Sequence, residues 1–350
     1  MKIACEFDPF CLSSFLAFRY VTRETAEWSP GVRPRWPRTT AADRIAVRDP
    51  RDILDALRGL VDAATRQANV GLLLSGGIDS AILAALLPRG TPAYTVRFDA
   101  EGALDESRAA ALYAARCGLE HRVVTVTWDD VQQHLDGLMR HKRSPLHPVE
   151  AGLFLGARAA ADDGVDSLLV GNGADSTFGG LDQLLSRDWT LDEFIRRYTF
   201  LDPAAALARP VPMRPVFAEY TRGGCFDSIG FLKEIHGRGI IQAFENALQA
   251  ADCAAVAPYE SLALAEPLDL ARIRRGEPKY LLRAVFEELY PGLPPAEKIA
   301  FARPMDDWMK SWEGPRRAEF KPDLDPRRFS GEQKWLLYGL EKFMDLVDGD

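Results

Sequence analysis

Backbone freedom, hydroxyl groups and a carboxylate are combined in one run of residues, Ser75-Gly76-Gly77-Ile78-Asp79-Ser80. Two adjacent glycines let backbone N–H groups turn toward one bound anion, and the N-terminus of a following helix adds about half a positive charge. Ser75 and Ser80 offer hydroxyl donors to phosphate oxygens. Asp79 can hold a magnesium ion, which takes carboxylate oxygens and bridges them to phosphates. The run therefore predicts a loop that binds a polyphosphate.

A second glycine-rich run reads Val170-Gly171-Asn172-Gly173-Ala174-Asp175-Ser176-Thr177-Phe178-Gly179-Gly180. Its glycines do not have the GxGxxG spacing of a dinucleotide-binding loop, and the first run lacks the Gly-Lys-Ser/Thr of a Walker A loop. On its own, the second run is interpreted equally well as a glycine-rich surface turn. It gains specificity only in combination with the first run.

The elements around both runs alternate between strands and helices. Short apolar stretches predict strands at residues 70–74, 93–98, 122–126 and 166–170. Helices are predicted at residues 51–68, 79–87, 105–117, 131–141 and 149–161. This alternation predicts an α/β fold built on a parallel sheet with helices on both faces. Both glycine-rich runs follow a predicted strand, and such sheets bind ligands beyond the carboxyl ends of their strands.

The strand signal fades from about residue 185 onward. Helices are predicted there at residues 191–200, 228–250, 268–274, 279–289 and 331–346. We therefore divide the chain into an N-terminal extension (1–50), an α/β core that carries both runs (51–185) and a mostly helical part that completes the site (186–350). Prolines at positions 30, 34, 37 and 50 exclude a long helix from the second half of the extension.

Composition narrows the class of protein. The chain has 350 residues, of which 47% are hydrophobic and 27% are charged, as in an ordinary globular protein. Its net charge of −8 argues against a nucleic-acid partner. Five cysteines without a CxxC pair argue against a disulfide framework or a zinc site. The sequence has no apolar run of membrane-spanning length and no signal-peptide pattern, so a cytoplasmic protein is expected.

Taken together, the two runs resemble a known enzyme family. The first resembles the PP-loop of ATP pyrophosphatases, which cleave ATP between the α- and β-phosphates. The second resembles the G-E-G-A-D-E-x-F-G-G loop of asparagine synthetase C-terminal domains, whose family includes β-lactam synthetase and carbapenam synthetase. Segments in the family's order follow at Pro258-Tyr259, Lys279-Tyr280-Leu281-Leu282-Arg283 and Glu297-Lys298-Ile299-Ala300-Phe301. The resemblance covers roughly residues 51 to 312.

The resemblance implies ATP and Mg²⁺ as cofactors, with Asp79 and Asp175 as the magnesium ligands. It implies that Lys279 contacts the pyrophosphate. It also implies that Lys298 faces the α-phosphate or the tetrahedral intermediate, where a fixed positive charge is most useful.

The same resemblance implies a lining for the nucleotide. The backbone near Leu73 and Val96 would receive adenine, and Gly171 would approach the α-phosphate. The nucleotide-binding residues under this interpretation are Leu73, Ser75, Gly76, Gly77, Asp79, Ser80, Val96, Gly171, Asn172 and Gly173.

The sequence departs from the family in three places. Asparagine synthetases begin with a glutamine-hydrolysing domain whose nucleophile follows the initiator Met, whereas this chain has Lys2, and too few residues precede the PP-loop to hold such a domain. We therefore expect no glutaminase, and residues 15–21 faintly resemble the family's interdomain linker. The family's E-x-R-x-P segment reads Ala254-Ala255-Val256-Ala257-Pro258 here, which favours a substrate less polar than aspartate.

The third departure concerns the base that accepts a proton from the attacking amine. The family places Glu or Tyr where this chain has Asn172, and an amide has no accessible basic pKa. Either another group is the base or the nucleophile needs none. Candidates by chemical character are His147, Glu150, Asp182, Glu219 and His236.

The sequence thus favours an AMP-forming ligase that adenylates a carboxylate and joins it to an amine, in specialised metabolism rather than asparagine synthesis. A second interpretation keeps adenylation and changes the acceptor to sulfur, oxygen or an amine of low pKa. A third is an ATP- or AMP-binding subunit without catalysis. Small-molecule or peptide carboxylates and amines are the expected substrates, and a homodimer or a partner biosynthetic protein is left open.

Overall fold

A parallel five-stranded sheet organises the chain, which we describe from a computed structural model over residues 6–37, 44–295 and 303–349. The strands are β1 (Ile45–Val47), β2 (Val70–Leu73), β3 (Pro92–Phe98), β4 (Glu120–Val126), β5 (Ser167–Leu169), β6 (Thr221–Arg222), β7 (Cys225–Phe226), β8 (Ala254–Val256) and β9 (Leu262–Leu264). The central sheet has the order β4-β3-β2-β5-β8, and every neighbouring pair in it is parallel. β1 pairs with β9 and β6 with β7 in separate two-stranded sheets.

Helices cover both faces of this sheet and make up most of the second half. Those of the first half are α1 (Pro9–Phe18), α2 (Pro50–Gln67), α3 (Ile78–Leu86), α4 (Ser107–Cys117), α5 (Trp128–Lys142), α6 (Glu150–Asp162) and α7 (Ala174–Phe178). Those of the second half are α8 (Asp182–Leu185), α9 (Leu191–Tyr198), α10 (Pro203–Ala206), α11 (Arg214–Ala218), α12 (Ser228–Phe231), α13 (Gly237–Ala250), α14 (Leu270–Arg274), α15 (Tyr280–Leu289), α16 (Met305–Trp308) and α17 (Gly331–Gly349). A π-helical turn (Leu232–His236) and two 3₁₀ turns (Pro258–Ser261 and Pro326–Arg328) complete the set.

The predicted α/β fold with a mostly helical second half is confirmed. The four predicted strands correspond to β2, β3, β4 and β5, and the five helices predicted between residues 51 and 161 correspond to α2 to α6. The fifth strand of the sheet, β8, was not predicted. It is only three residues long, and it lies within the mostly helical part rather than before residue 185.

Local chemistry explains why α2 begins where it does. The Asp49 side chain accepts hydrogen bonds from the backbone N–H groups of Arg51 and Asp52, and Pro50 occupies the first helical position. The apolar face of α2 is buried through Ile53, Leu54, Leu57 and Val61. This helix therefore packs its predicted apolar stripe against the core that contains β2 and α3.

The N-terminal helix contributes to a second core cluster, which includes Tyr94 of β3 and Leu168 of β5. Helix α1 is buried along most of its length, with Phe15 and Leu16 fully inaccessible to solvent. Strand β1 pairs with β9 through Ile45 and Leu262, which connects residues 45–47 to the second half of the chain. None of the described helices is both long and apolar enough to cross a membrane.

Candidate active site

The two glycine-rich runs lie side by side because the strands that precede them are neighbours. β2 and β5 are parallel and paired, with Val70 opposite Ser167 and Leu72 opposite Leu169. The carboxyl ends of both strands therefore meet at one edge of the sheet. The first run follows β2 and leads into α3, and the second follows β5 and leads into α7.

Serine hydroxyl groups hold the first loop in its shape. The hydroxyl oxygens of Ser75 and Ser80 lie 2.9 Å apart, and the Ser75 backbone N–H donates to Ser80 Oγ at 3.0 Å. The Gly77 N–H donates to Ser75 Oγ at 3.1 Å. Both hydroxyls thus bond to the loop itself, and contact between them and a phosphate stays a prediction.

Lys279 joins the two loops at their carboxylates. Its Nζ lies 2.5 Å from Asp79 Oδ2 and 2.7 Å from Asp175 Oδ1, and the residue is only 6% exposed. Burial disfavours the charged ammonium, but the neighbouring carboxylates of Asp79 and Asp175 outweigh it and raise the pKa of Lys279 above its ordinary value. The residues predicted to hold metal and pyrophosphate therefore converge on one point.

This donor set fits a magnesium ion that accompanies a nucleotide. Asp79 and Asp175 approach one cationic centre closely enough to share it, as their contacts with the Lys279 ammonium demonstrate. Within the described part of the chain, no group of three or more metal-binding side chains is found. Magnesium commonly uses one or two carboxylates and takes its other ligands from phosphates and water. Asp79 and Asp175 would hold it here.

Two glycines allow the close approach of the loops at this point. The Gly171 Cα lies against α3, where an added Cβ would be 3.1 Å from Asp79 Cβ. At Gly180 an added Cβ would lie 1.9 Å from Asp175 Oδ1 and 2.2 Å from Lys279 Cε. No side chain fits at Gly180 without displacing the ion pair, which gives the last glycine of the second run a physical reason.

Glu106, a residue that the sequence analysis did not single out, contacts the first loop. Its carboxylate accepts a hydrogen bond from the Gly76 backbone N–H. Burial raises the pKa of Glu106, and the Gly76 hydrogen bond opposes this. An anion bound by the loop would compete with Glu106 for that N–H. No local pattern identifies this contact, because Glu106 lies beyond β3, at the start of α4.

The predicted adenine-binding positions lie close together. Leu73 and Val96 are on the neighbouring strands β2 and β3, and both are partly exposed. They share a contact with α6, where a Cβ added at Gly156 would be 3.0 Å from Val96 Cγ2 and 3.2 Å from Leu73 Cδ2. Leu73 and Val96 thus lie near each other on neighbouring strands, beside α6. Their contact with adenine stays a prediction.

Asn172 bonds to a second carboxylate that the sequence analysis missed. Its side-chain N–H donates to Glu260 Oε1. Gly173, with a φ of 89°, packs on the same residue, and an added Cβ there would be 2.8 Å from Glu260 Cγ. Burial and nearby Glu245 raise the pKa of Glu260 to about 7, while Arg44 and the Asn172 hydrogen bond oppose the rise. The signal available in the sequence was a lone carboxylate directly after Pro258-Tyr259.

Four of the five candidate bases named in the sequence analysis are either exposed or bonded to other buried groups. Asp182 and Glu219 are exposed. Glu150 is fully buried and forms an ion pair with Lys142, and it accepts the His147 backbone N–H at 2.6 Å. These contacts give Glu150 and His147 a structural explanation.

His236 ends the π-helical turn Leu232–His236, which packs against α7 in the second run. Its Nδ1 lies 3.1 Å from the Tyr198 hydroxyl. Burial and the Arg19 charge lower the pKa of His236 to about 3, although Asp175 opposes this. At neutral pH the imidazole is uncharged and is a much weaker proton acceptor than the Glu260 carboxylate.

Lys298 lies outside the described residues, so its predicted role at the α-phosphate stays a prediction. The described chain resumes at Arg303, whose Nε lies 2.7 Å from Glu332 Oε1.

The absence of charge at residues 254–258, from which we expected a less polar substrate, does not extend to the residues that follow. Although 254–258 carry no charge, Glu260 lies two residues beyond them, and Arg44 acts on its carboxylate.

Tyr259 ties the turn that carries Glu260 to the first loop. Its hydroxyl donates to the Asp79 carbonyl oxygen at 2.9 Å. Tyr259→Phe removes this hydrogen bond, so we expect the free energy of unfolding to fall by about 1 kcal/mol. We also expect weaker binding of magnesium-ATP, because Asp79 loses a support. Urea denaturation and calorimetric titration with magnesium-ATP measure the two effects.

A matched control lies two residues further along α3. The Tyr290 hydroxyl donates to the Ala81 carbonyl oxygen at 2.6 Å. Tyr290→Phe is expected to lower stability by a similar amount, about 1 kcal/mol, and to leave magnesium-ATP affinity unchanged. Equal affinity losses in both variants would contradict a specific role for Tyr259.

The parallel sheet, with a serine- and glycine-rich loop after β2 and a second glycine-rich loop after β5, defines a protein of the PP-loop class. Residues 52–227, half of the chain, match the asparagine synthase family, and the chain belongs to that family. The resemblance drawn from the two runs is confirmed. Family membership supports an ATP-dependent ligase.

Individual relatives match shorter stretches. Over 115 residues the chain is 36% identical to a protein of Mycobacterium bovis named "Putative asparagine synthetase (glutamine-hydrolyzing)", and identically named proteins of Mycobacterium tuberculosis match equally well. This match covers 32% of the chain and 17% of the relative. "Amidase chry2" of Gibberella zeae is 27% identical over 161 residues, or 46% of the chain and 24% of the relative. The chain thus matches less than a quarter of the length of these relatives.

Proposed function

We propose that this protein is an ATP-dependent, AMP-forming ligase that adenylates a carboxylate and transfers the acyl group to an amine. The substrate carboxylate attacks the α-phosphate, and pyrophosphate leaves. The amine then attacks the acyl-adenylate, which gives an amide and AMP. Magnesium neutralises charge on the phosphates when it is bound. Positioning and charge stabilisation are the contributions expected of the protein.

The observation that carries this proposal is the convergence of Asp79 and Asp175 on Lys279. The two carboxylates come from loops after different strands, and the lysine comes from the start of α15. A chain selected only for stability gains little from burying a lysine between two carboxylates, because desolvation offsets the attraction. A site that holds a metal and a pyrophosphate needs both kinds of charge at one place.

We propose that the carboxylate is not aspartate and that the reaction belongs to specialised metabolism. The stretch Ala254-Ala255-Val256-Ala257-Pro258 supports this, since it lacks the two charges that the family has there. The relatives' names refer to asparagine synthesis and to an amidase, and both concern carbon–nitrogen bonds. A small-molecule or peptide carboxylate is the proposed substrate, in the cytoplasm, with a homodimer or a partner biosynthetic protein left open.

A pyrophosphate exchange screen tests the proposal without knowledge of the acceptor. The chain is incubated with Mg²⁺, ATP, labelled pyrophosphate and one carboxylic acid at a time. Acid-dependent movement of label into ATP is expected for at least one acid, and none is expected with aspartate. Exchange with aspartate would contradict the proposed substrate class, and its absence with every acid would contradict the adenylation step.

The alternative acceptors and the non-catalytic interpretation give different results in the same experiments. The amide at Asn172 favours an acceptor that needs no base, such as a thiol or an amine of low pKa. Product masses from a panel of nucleophiles identify such an acceptor. An ATP-binding subunit without catalysis would bind magnesium-ATP in calorimetry and show no exchange with any acid.

A further inference from the structure

Glu260 lies where the second loop and the turn after β8 meet. It belongs to the 3₁₀ turn Pro258–Ser261, and its carboxylate accepts the side-chain N–H of Asn172. The Gly173 backbone fills the space beside it so closely that an added Cβ would lie 2.9 Å from the Glu260 nitrogen. The position of this carboxylate is therefore fixed by the loop rather than left to solvent.

The same turn is connected to the phosphate side of the site. Tyr259 bonds to the Asp79 carbonyl oxygen, and Gly171 packs on Asp79 from the other loop. Asn172 stands between Gly171 and Gly173, so one loop contacts Asp79 through its first glycine and Glu260 through the following residues. Glu260 thus stands beside the position where the family carries its base.

The charged groups near Glu260 act in opposite directions. Burial raises its pKa, and the Glu245 carboxylate of α13 raises it further. Arg44, which precedes β1, and the Asn172 hydrogen bond lower it. The resulting pKa of about 7 means that the carboxyl group is partly deprotonated at neutral pH and can take up a proton there.

We propose that Glu260 is the general base of the second half-reaction and that Asn172 is a positioning residue that holds its carboxylate. This rests on the proposed function. The amine lone pair attacks the acyl carbon, the carbon–nitrogen bond forms, and the bond from that carbon to the AMP oxygen breaks with its electron pair. The proton that the amine nitrogen loses goes to the Glu260 carboxylate and from there to water.

Separate measurement of the two half-reactions tests the proposal. With an acid found by the exchange screen, Glu260→Gln is expected to leave pyrophosphate exchange near the wild-type rate. Amide formation with a panel of primary amines, methylamine included, is expected to fall about 100-fold. Hydroxylamine forms a more acidic ammonium on attack, so hydroxamate formation is expected to fall much less. Glu120→Gln, an exposed change on β4 at the opposite edge of the sheet, is the control.

The dependence of amide formation on pH is a second measurement. It would not change in the expected way if Glu260 had only a structural role. After correction for the fraction of free amine, wild-type amide formation is expected to rise through about pH 7 as Glu260 loses its proton. Glu245→Gln removes a like charge and is expected to move the midpoint to lower pH. Asn172→Ala removes a hydrogen bond to the carboxylate and is expected to move it to higher pH. Glu260→Gln is expected to flatten the profile.

The outcomes separate the two proposals. If wild-type protein shows no exchange with any acid, the proposed function fails and this inference fails with it. If exchange occurs and Glu260→Gln forms amides at the wild-type rate with every amine, only the assignment of the base is wrong. The assignment is also wrong if the midpoint is unchanged in both Glu245→Gln and Asn172→Ala.

Discussion

Replacement of Asp79 by alanine is expected to lower acid-dependent pyrophosphate exchange by about 100-fold to 1,000-fold, the cost of a lost electrostatic contact at a reacting centre. Asp79 is held by Lys279 at 2.5 Å and lies in the first turn of α3. Its removal leaves Asp175 as the remaining carboxylate of the pair. A metal that depends on both carboxylates would be held less well, so the loss should become smaller at high Mg²⁺ concentration.

The control for this experiment is Asp136→Ala, which removes an exposed carboxylate from α5. It is expected to leave exchange unchanged. Lys298→Ala is expected to cause a loss of about the same size as Asp79→Ala, since the resemblance assigns it a fixed charge at the α-phosphate. Near-normal exchange in both Asp79→Ala and Lys298→Ala would defeat the mechanism.

Gly180→Ala is expected to lower the rate of exchange by about 100-fold or more, although it adds only a single methyl group. The added Cβ would overlap Asp175 Oδ1 and Lys279 Cε. Both are ends of flexible side chains, so the fold can accommodate the methyl group by moving them. That movement breaks the arrangement of charges on which catalysis depends. We therefore expect a large loss of activity with a small loss of thermal stability.

Gly137→Ala is the matched control for this change. Gly137 lies in α5, and an added Cβ there would meet no atom within 4 Å. Alanine in a helix interior is favoured over glycine by about 1 kcal/mol, so this variant should be at least as stable as the wild type and fully active. Retention of activity in Gly180→Ala would show that Asp175 and Lys279 need not stay where the structure places them.

The part of the fold that sequence could predict is the part with local signals. The apolar stripe of α2 and the strands β2 to β5 each carry their pattern within a short window. The meeting of both glycine-rich runs follows from parallel strand topology. The strand β8 has three residues, Ala254–Val256, which is too short a stretch to carry a periodic pattern, and it is recognised only from its parallel pairing with β5.

The contact between Asn172 and Glu260 could not be predicted for a different reason. The two residues are 88 positions apart, and neither residue type requires the other. Their approach depends on β8 pairing next to β5, since this places the turn after β8 beside the loop after β5. Because β8 is not predicted from the sequence, the position of Glu260, which we propose as the base, beside Asn172 is not predicted either.

The order of strands in the sheet also bears on biosynthesis of the protein. Strand β8 lies beside β5 in space, yet 84 residues of chain separate the end of one from the start of the other. While the ribosome is still producing those residues, Ser167–Leu169 present an open backbone edge, and such edges invite pairing with other chains. Expression of residues 51–185 alone would make that exposure permanent. Pairing with β8 can cover this edge once residue 256 has been synthesised.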